Sequence, residues 1–121
     1  MALLSPTAID AFFSDAEDAP VVMLNLIHFA ADGGRDRYLK YLNLAEPILQ
    51  RFGARILYSG NGLAVLSAGD TAGWDAVVLV QYPSRSAFQN MIADPDYQVA
   101  FKVGVSAIKD IVLQPLEPLA R

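Results

Sequence analysis

The sequence predicts one α+β domain, with a helix followed by the order strand-helix-strand-strand-helix-strand. Apolar runs typical of strands alternate with stretches whose apolar residues recur every three or four positions, as in amphipathic helices. Prolines, glycines and capping side chains mark most of the boundaries between them. The length of 121 residues fits a single domain, 1–121. A central antiparallel strand pair with helical crossovers is typical of the ferredoxin-like sandwich.

An N-terminal helical extension over residues 1–19 is predicted to precede a core over residues 20–116. Ser5 and Pro6 form a helix start, because serine caps the first turn and proline has the backbone angle that this turn needs. The helix has one apolar stripe, formed by Ile9, Phe12 and Phe13. Ala19-Pro20 is expected to close it.

Residues 21–29, VVMLNLIHF, are predicted to form the first strand. Alternation along a strand places Asn25 on one face and His28 on the other. Both faces are otherwise apolar, so both should be covered. Asn25 and His28 therefore cannot share one small site unless the strand bulges between them.

The next element is a helix from Arg35 to Phe52, with Gly53 as its C-terminal cap. Pro47 lies inside it and should bend it, because proline removes one backbone hydrogen bond. The stripe facing the core includes Tyr38 and Tyr41.

Residues 54–69 contain two apolar runs, ARILYS and LAVLSAG, separated by Gly-Asn-Gly. We expect one long strand kinked at these glycines, with a hairpin as the alternative. Residues 74–83 form the clearest strand. Two helices then begin at Ser84 and at Asp94-Pro95, and the last strand should lie at a sheet edge because Pro115 falls within it.

The assembly follows from the two apolar faces of the predicted sheet. Helices cover only one face of a ferredoxin-like sheet, so another layer should cover the second. The simplest such layer is the sheet of a second copy, which predicts a homodimer that pairs through its sheet faces.

Composition excludes several classes of function. The formal charge of −4 argues against a nucleic-acid partner. The chain has no cysteine, which removes thiolate nucleophiles and cysteine-based metal sites. No uncharged apolar run reaches the ~18 residues needed to span a bilayer. We expect a cytoplasmic protein with no membrane partner, no metal and no cofactor.

The strands carry the candidate polar site residues. His28, the only histidine, is either a general base near neutral pH or a structural cap at a strand end. Asn25 needs a partner inside an apolar strand, either neighbouring backbone or a ligand. Arg55 is expected to form a cross-strand ion pair with Asp75, and the alternative is that it anchors a carboxylate ligand. One set of aromatic residues belongs either to the core or to the walls of an aromatic pocket: Tyr38, Tyr41 and Trp74, with Tyr58, Tyr82, Phe88, Tyr97 and Phe101.

Several segments resemble one family. They are VVMLNLIHF, with Asn25-Leu26 and Phe29; GGRDRYLKYLNLAEPILQRFGARILYSG; WDAVVLVQYPSRSAFQNMIADPDYQ, with Tyr82-Pro83-Ser84 and Asp94-Pro95-x-Tyr97; and LQPLEP. Over about residues 20–116 the chain resembles the DUF1330 family of the dimeric α/β-barrel superfamily.

That resemblance implies a homodimer and a pocket between sheet and helices, and it supplies no reaction. The superfamily includes monooxygenases without cofactors, haem-degrading and haem-peroxidase relatives, lactone isomerases and ligand-binding modules, among which fold alone does not choose. Many relatives carry a His-Arg pair in the last helix where this chain has Val103-Gly104.

Two functional hypotheses follow. In the first, the protein is a metal-free enzyme, similar to a monooxygenase or an isomerase, that acts on a small aromatic or lactone-like metabolite. His28 is then the base, Asn25 or Arg55 holds an anion, and the walls are Tyr38, Tyr41 and Trp74. In the second, it is a non-catalytic module that binds a small apolar molecule or serves an assembly.

Overall fold

The fold is a four-stranded sheet with helices on one face, and the computed structural model describes residues 3–14 and 18–120. The elements in these ranges are α1 (Pro6–Ser14), β1 (Val21–Phe29), α2 (Gly34–Arg51), β2 (Arg55–Asn61), β3 (Ala76–Tyr82), α3 (Arg85–Ala93), α4 (Pro95–Ala107) and β4 (Ile108–Leu116). All paired strands are antiparallel, in the order β2-β3-β1-β4. This is the predicted ferredoxin-like arrangement, with β4 at an edge.

The register of the central strand determines which side chains face the helices. Met23 lies opposite Val80 and Ile27 lies opposite Ala76, and all four are buried under the helices. Asn25 lies between Met23 and Ile27 at the same two-residue spacing, so its side chain points to the same face of the sheet. The strand therefore carries one polar side chain into the layer between sheet and helices.

Most helix boundaries lie where local chemistry predicts them. The Ser84 hydroxyl accepts a hydrogen bond from the Ala87 amide at 3.0 Å, which caps α3. The Asp94 carboxylate accepts from the Tyr97 amide at 3.2 Å and caps α4 in the same way. Gly53 follows α2 with a φ of +75°, a conformation that glycine adopts without strain.

The N-terminal helix α1 packs on α3. Its Ser5 hydroxyl accepts from the Ala8 amide at 3.2 Å, so the predicted start is confirmed. The rings of Phe12 and Phe13 lie 6.2 and 6.0 Å from that of Phe88. The described part of the helix is Pro6–Ser14, and residues 15–17, before the predicted closing Ala19-Pro20, lie outside the described residues.

The predicted kinked strand over residues 54–69 is wrong, and so is the alternative hairpin at Gly-Asn-Gly. β2 ends at Asn61, and residues 62–75 form an irregular loop before β3. A strand requires a hydrogen-bonded neighbour, and β3, the strand that pairs with β2, begins only at Ala76. The apolar run after Gly62 has no strand beside it among the described residues of the protomer.

The sheet face away from the helices is not covered by another layer of the described residues. Five of its central side chains are apolar and only half-buried, namely Leu24, Leu26, Val77, Leu79 and Val112. We call these residues, together with Tyr58, the open sheet face. None of the helices in the described ranges has the length and apolar character needed to cross a membrane.

Candidate functional site: a neutral cavity between sheet and helices

A cavity of about 230 Å³ lies between the sheet and the helices. Its walls come from all four strands and all four helices of the described ranges, with Leu4 just before α1. We call it the sheet–helix cavity. Its polar lining consists of one asparagine, one glutamine and four tyrosines: Asn25, Gln98, Tyr38, Tyr41, Tyr82 and Tyr97.

The four tyrosines are uncharged hydrogen-bonding groups. Burial raises the pKa of each phenol, Tyr38, Tyr41, Tyr82 and Tyr97, because the charged form is poorly solvated there. The hydroxyls of Tyr41 and Tyr97 share a hydrogen bond of 2.7 Å that joins α2 to α4. The Tyr82 hydroxyl donates weakly to the Met91 sulfur at 3.8 Å. The Tyr38 hydroxyl has no such partner among the described residues.

Asn25 presents an acceptor to the cavity. Its amino group donates to the Val78 carbonyl at 3.2 Å and to the Met23 carbonyl at 3.4 Å. Because a carbonyl only accepts, these two contacts assign the amide orientation. Its side-chain oxygen has no protein donor among the described residues and remains available to a ligand.

The cavity lining contains no charged residue. None of the described residues that line it is an aspartate, glutamate, lysine, arginine or histidine. No cluster of three or more histidine, aspartate or glutamate side chains suited to a metal ion occurs within residues 3–14 and 18–120. The arrangement suits a neutral molecule, since an ion would lose its hydration without gaining a counter-ion.

His28 lies on the opposite face of the sheet from this cavity, as strand alternation predicts. Its ring stacks on Trp74 with centroids 4.1 Å apart. Nε2 lies 2.9 Å from the Gly73 carbonyl and therefore carries a proton, while Nδ1 lies 3.4 Å from the Asp110 carboxylate. The hydrogen bond to the Gly73 carbonyl is the largest cause of a raised His28 pKa; Asp110 and Asp75 add to it, and burial opposes it.

The predicted ion pair between Arg55 and Asp75 is wrong. Antiparallel pairing places Arg55, at the start of β2, opposite Gln81 near the end of β3. The Arg55 guanidinium donates to the Gln81 side-chain oxygen at 3.1 Å. Asp75 lies at the other end of these strands, where its carboxylate accepts from the Phe29 amide at 2.8 Å.

The structure thus divides the predicted site residues into three groups. Asn25, Tyr38 and Tyr41 line the cavity together. His28 and Trp74 stack on each other outside it, and Arg55 lies at the far end of the sheet. Tyr82 and Tyr97, which the sequence placed only in the wider aromatic set, also line the cavity, as does Gln98, which the sequence did not indicate. The signal available for Tyr82 was its two-residue spacing from Val78 and Val80, which places all three on one face of β3. The signal available for Tyr97 was its position in the first turn of α4.

Gly104 allows α2 and α4 to approach closely beside the cavity. A Cβ atom at this position would lie 2.9 Å from the Tyr41 ring carbon Cδ1, closer than such atoms come in practice. The ring of Tyr41 therefore occupies space that a larger residue at 104 would take. This packing gives a structural reason for Val103-Gly104 where the resemblance leads one to expect His-Arg.

Stability should decrease as pH rises through the titration of His28. Because the pKa is raised in the folded state, the stabilising contribution is complete below the unfolded value of about 6.5 and is lost as pH rises through the folded pKa. An NMR titration of this single histidine should give a pKa above 6.5 that Asp110→Asn lowers. A wild-type pKa at or below 6.5 would contradict the hydrogen-bonding scheme.

Comparison with known proteins shows the family and the fold. A structure of a protein of unknown function from Rhodopseudomonas palustris is 29% identical, with a TM-score of 0.85 over 98% of this chain and 96% of that one. A dimeric ferredoxin-like protein of unknown function from Jannaschia sp. CCS1 is 13% identical, with a TM-score of 0.65 over 83% of this chain and 100% of that one.

A putative antibiotic biosynthesis monooxygenase from Bacteroides thetaiotaomicron is 18% identical, with a TM-score of 0.60 over 84% of this chain and 91% of that one. At these lower identities the likeness concerns the fold alone. No curated protein matches the chain in sequence. The model of the domain of unknown function DUF1330 matches residues 31–113, well over half of the chain. This protein is a member of the DUF1330 family.

Proposed function

We propose that this protein binds a small, uncharged and largely apolar molecule in the sheet–helix cavity. The observation that carries the proposal is a cavity of about 230 Å³ whose lining is apolar except for Asn25, Gln98 and four tyrosines. Ligand sites are typically concave and apolar, with a few polar groups that orient the ligand. This lining matches that description.

The volume limits the size of the ligand. An apolar cavity of about 150 Å³ accommodates benzene. A cavity of about 230 Å³ therefore suits one ring with a short substituent. The surrounding tyrosine rings offer flat surfaces for such a ring to pack on.

Two groups in the cavity favour a hydroxyl on the ligand. The side-chain oxygen of Asn25 can only accept a hydrogen bond, whereas the Tyr38 hydroxyl can donate or accept. A ligand hydroxyl both donates and accepts, so it can satisfy both groups. The net gain from one such hydrogen bond is about 0.5–1.5 kcal/mol.

Binding is better supported than catalysis by the groups in this cavity. Its tyrosines have raised pKa values, so none of them is a base near neutral pH. His28 and Arg55, the proposed base and one of the proposed anion holders, lie outside the lining. A catalytic role for His28 remains a prediction that would require a substrate on the other face of the sheet.

We also propose that the protein is a homodimer whose protomers pack through the open sheet face. The support is the row of half-buried apolar side chains on that face, which would otherwise remain in water. The related fold from Jannaschia is described as dimeric. Native mass spectrometry of the purified chain at neutral pH should report twice the protomer mass, and a single protomer mass would contradict the dimer.

Calorimetry with small probes tests the binding proposal. Benzyl alcohol should bind, whereas benzoate, which is of similar size, should bind at least about tenfold more weakly because its charge would be buried without a cation. In Asn25→Leu, benzyl alcohol should lose several-fold in affinity, because the acceptor for its hydroxyl is gone. Ethylbenzene, which makes no hydrogen bond, should keep its affinity in the same variant.

Two results would count against this function. One is that neither benzyl alcohol nor ethylbenzene binds at concentrations that saturate ordinary apolar cavities. The other is that benzoate binds as tightly as benzyl alcohol, which would show that a cation serves the site. An equal loss of both neutral probes in Asn25→Leu would mean that the variant distorts the cavity, so the fold of the variant is checked by circular dichroism.

A further inference from the structure

We propose that the loop between β2 and β3 packs against a second copy of this chain. We call residues 62–75 the β2–β3 arm. The inference rests on the proposed homodimer and goes beyond it, because it adds to the sheet faces a separate segment that contacts the partner. The partner of the arm is the second protomer, and the contact between them is apolar.

The first part of the arm has the sequence of a buried segment. The stretch from 63 to 67, LAVLS, contains no charged residue, and its nearest charged neighbours are Arg55 and Asp70. Leu63 is 90% exposed and Leu66 is 99% exposed in the protomer. Single exposed leucines are ordinary, but an uncharged cluster is typical of an interaction surface.

The apolar surface of the arm adjoins more of the same kind. Leu57 and Tyr58 are also exposed, in the middle of β2, the edge strand that leads into the arm. Tyr58 lies opposite Leu79 and so belongs to the open sheet face. The surface of the arm is therefore a continuation of the face through which the dimer is proposed to form.

The arm is held at its base rather than left loose. The Gly62 amide donates to the Asp75 carbonyl at 2.9 Å, and the Asp75 amide donates to the Ile27 carbonyl at 2.9 Å. His28 binds the Gly73 carbonyl at 2.9 Å and stacks on Trp74. Fixing the base before association reduces the conformational entropy that binding costs.

The two limbs of the arm also touch each other. A Cβ atom on Gly73 would lie 2.8 Å from a Val65 methyl carbon, so only glycine allows the limbs to approach so closely. Gly69, with a φ of +96°, lies at the bend between them. The arm is thus a doubled-back projection with Leu63 and Leu66 on its first limb.

The sheet face is small, and the arm enlarges it. Four strands of seven to nine residues make a face about 19 Å wide and about 27 Å long, a projected area of about 500 Å². Stable interfaces bury about 800 Å² on each partner. The arm offers additional apolar surface that is contiguous with this face.

Sedimentation equilibrium on the full chain tests the contact. Leu63→Asn combined with Leu66→Asn should raise the dimer dissociation constant by at least about 100-fold, because two buried leucines are lost from each protomer. Leu119→Asn is the matched control, since Leu119 is 86% exposed and lies outside the arm. It should leave the dissociation constant unchanged.

The outcomes separate this inference from the proposals on which it rests. If the wild type is a dimer and the double variant has the same dissociation constant, the arm contact alone is overturned. This is also the result expected if the arm binds a different protein. A monomeric wild type overturns the dimer and the arm contact together. Probe binding in the cavity is measured separately and tests the proposed function in either case.

A second measurement covers the possibility that the double variant does not fold. Because the chain has no cysteine, Leu66→Cys and Leu119→Cys each provide a unique labelling site for an environment-sensitive fluorophore. On raising the protein concentration through dimerisation, the label at position 66 should shift to blue emission, and the label at 119 should not. A label at 66 that stays in a water-like environment in the dimer overturns the contact.

Discussion

Replacing Ala45 with leucine should strongly weaken the binding of neutral probes to the sheet–helix cavity. Ala45 lies on α2, is only 1% exposed and lines the cavity. Leucine adds three carbon atoms at a site where the empty space suits one small ring. We expect probe affinity to fall at least about tenfold, a loss of about 1.4 kcal/mol in binding free energy.

The same substitution should leave the folded state nearly as stable as before. Filling empty apolar space gains about 0.8 kcal/mol for each buried methylene, whereas overpacking costs about 1–3 kcal/mol. Calorimetry with benzyl alcohol and urea unfolding are the two measurements. Ala93→Leu, at the exposed end of α3 and outside the lining, is the control and should bind the probe normally. Undiminished binding in Ala45→Leu would show that the probe occupies another place.

Removing one hydroxyl of the Tyr41–Tyr97 pair should lower the free energy of unfolding by more than the loss of a single oxygen atom suggests. In Tyr97→Phe the Tyr41 hydroxyl loses its partner at 2.7 Å and stays buried between α2 and α4. A buried polar group left without a partner costs about 1–3 kcal/mol. We expect the free energy of unfolding to fall by that amount, and likewise for Tyr41→Phe.

The double variant Tyr41→Phe/Tyr97→Phe should lose less stability than the two single losses together. The second substitution removes the group that the first left unpaired, so a coupling energy of about 0.5–3 kcal/mol is expected. Urea unfolding of all four proteins completes the cycle. Tyr82→Phe is the buried control, and it should cost less because the Tyr82 hydroxyl has only a weak sulfur partner. If the loss of stability in the double variant equals the sum of the two single losses, the hydrogen bond between the two hydroxyls contributes no coupling energy.

Helix starts and ends were predictable because each depends on a few neighbouring residues. The caps at Ser84 and Asp94 satisfy amides within three positions along the chain. The glycine at 53 is required by the turn that follows α2. These boundaries therefore lie where the sequence places them.

The strand predicted after Gly62 failed because strand formation is not local. Leu63 to Ser67 has the composition of a strand, but a strand exists only where another backbone pairs with it. The Arg55–Asp75 prediction failed for a related reason. It assumed that adjacent strands bring the two side chains together, whereas the antiparallel register separates them by the length of the strand.

The candidate site was predictable only in part. Period-2 alternation assigned Asn25 and His28 to opposite faces, and helical spacing assigned Tyr38 and Tyr41 to the core stripe. Neither pattern indicates which core residues surround an empty space. Tyr97 lines the cavity because α4 crosses α2 at this point, where the two tyrosine hydroxyls meet.

The sequence by itself determined the order of elements, their caps, the two apolar faces of the sheet and the absence of thiol chemistry. It did so because caps depend on adjacent residues and faces depend on a fixed period. Only the tertiary structure decided that Asn25 shares a neutral cavity with four tyrosines, while His28 holds the base of the β2–β3 arm on the other side. Strand register and helix crossing set those neighbours, and both result from the packing of residues far apart in the chain.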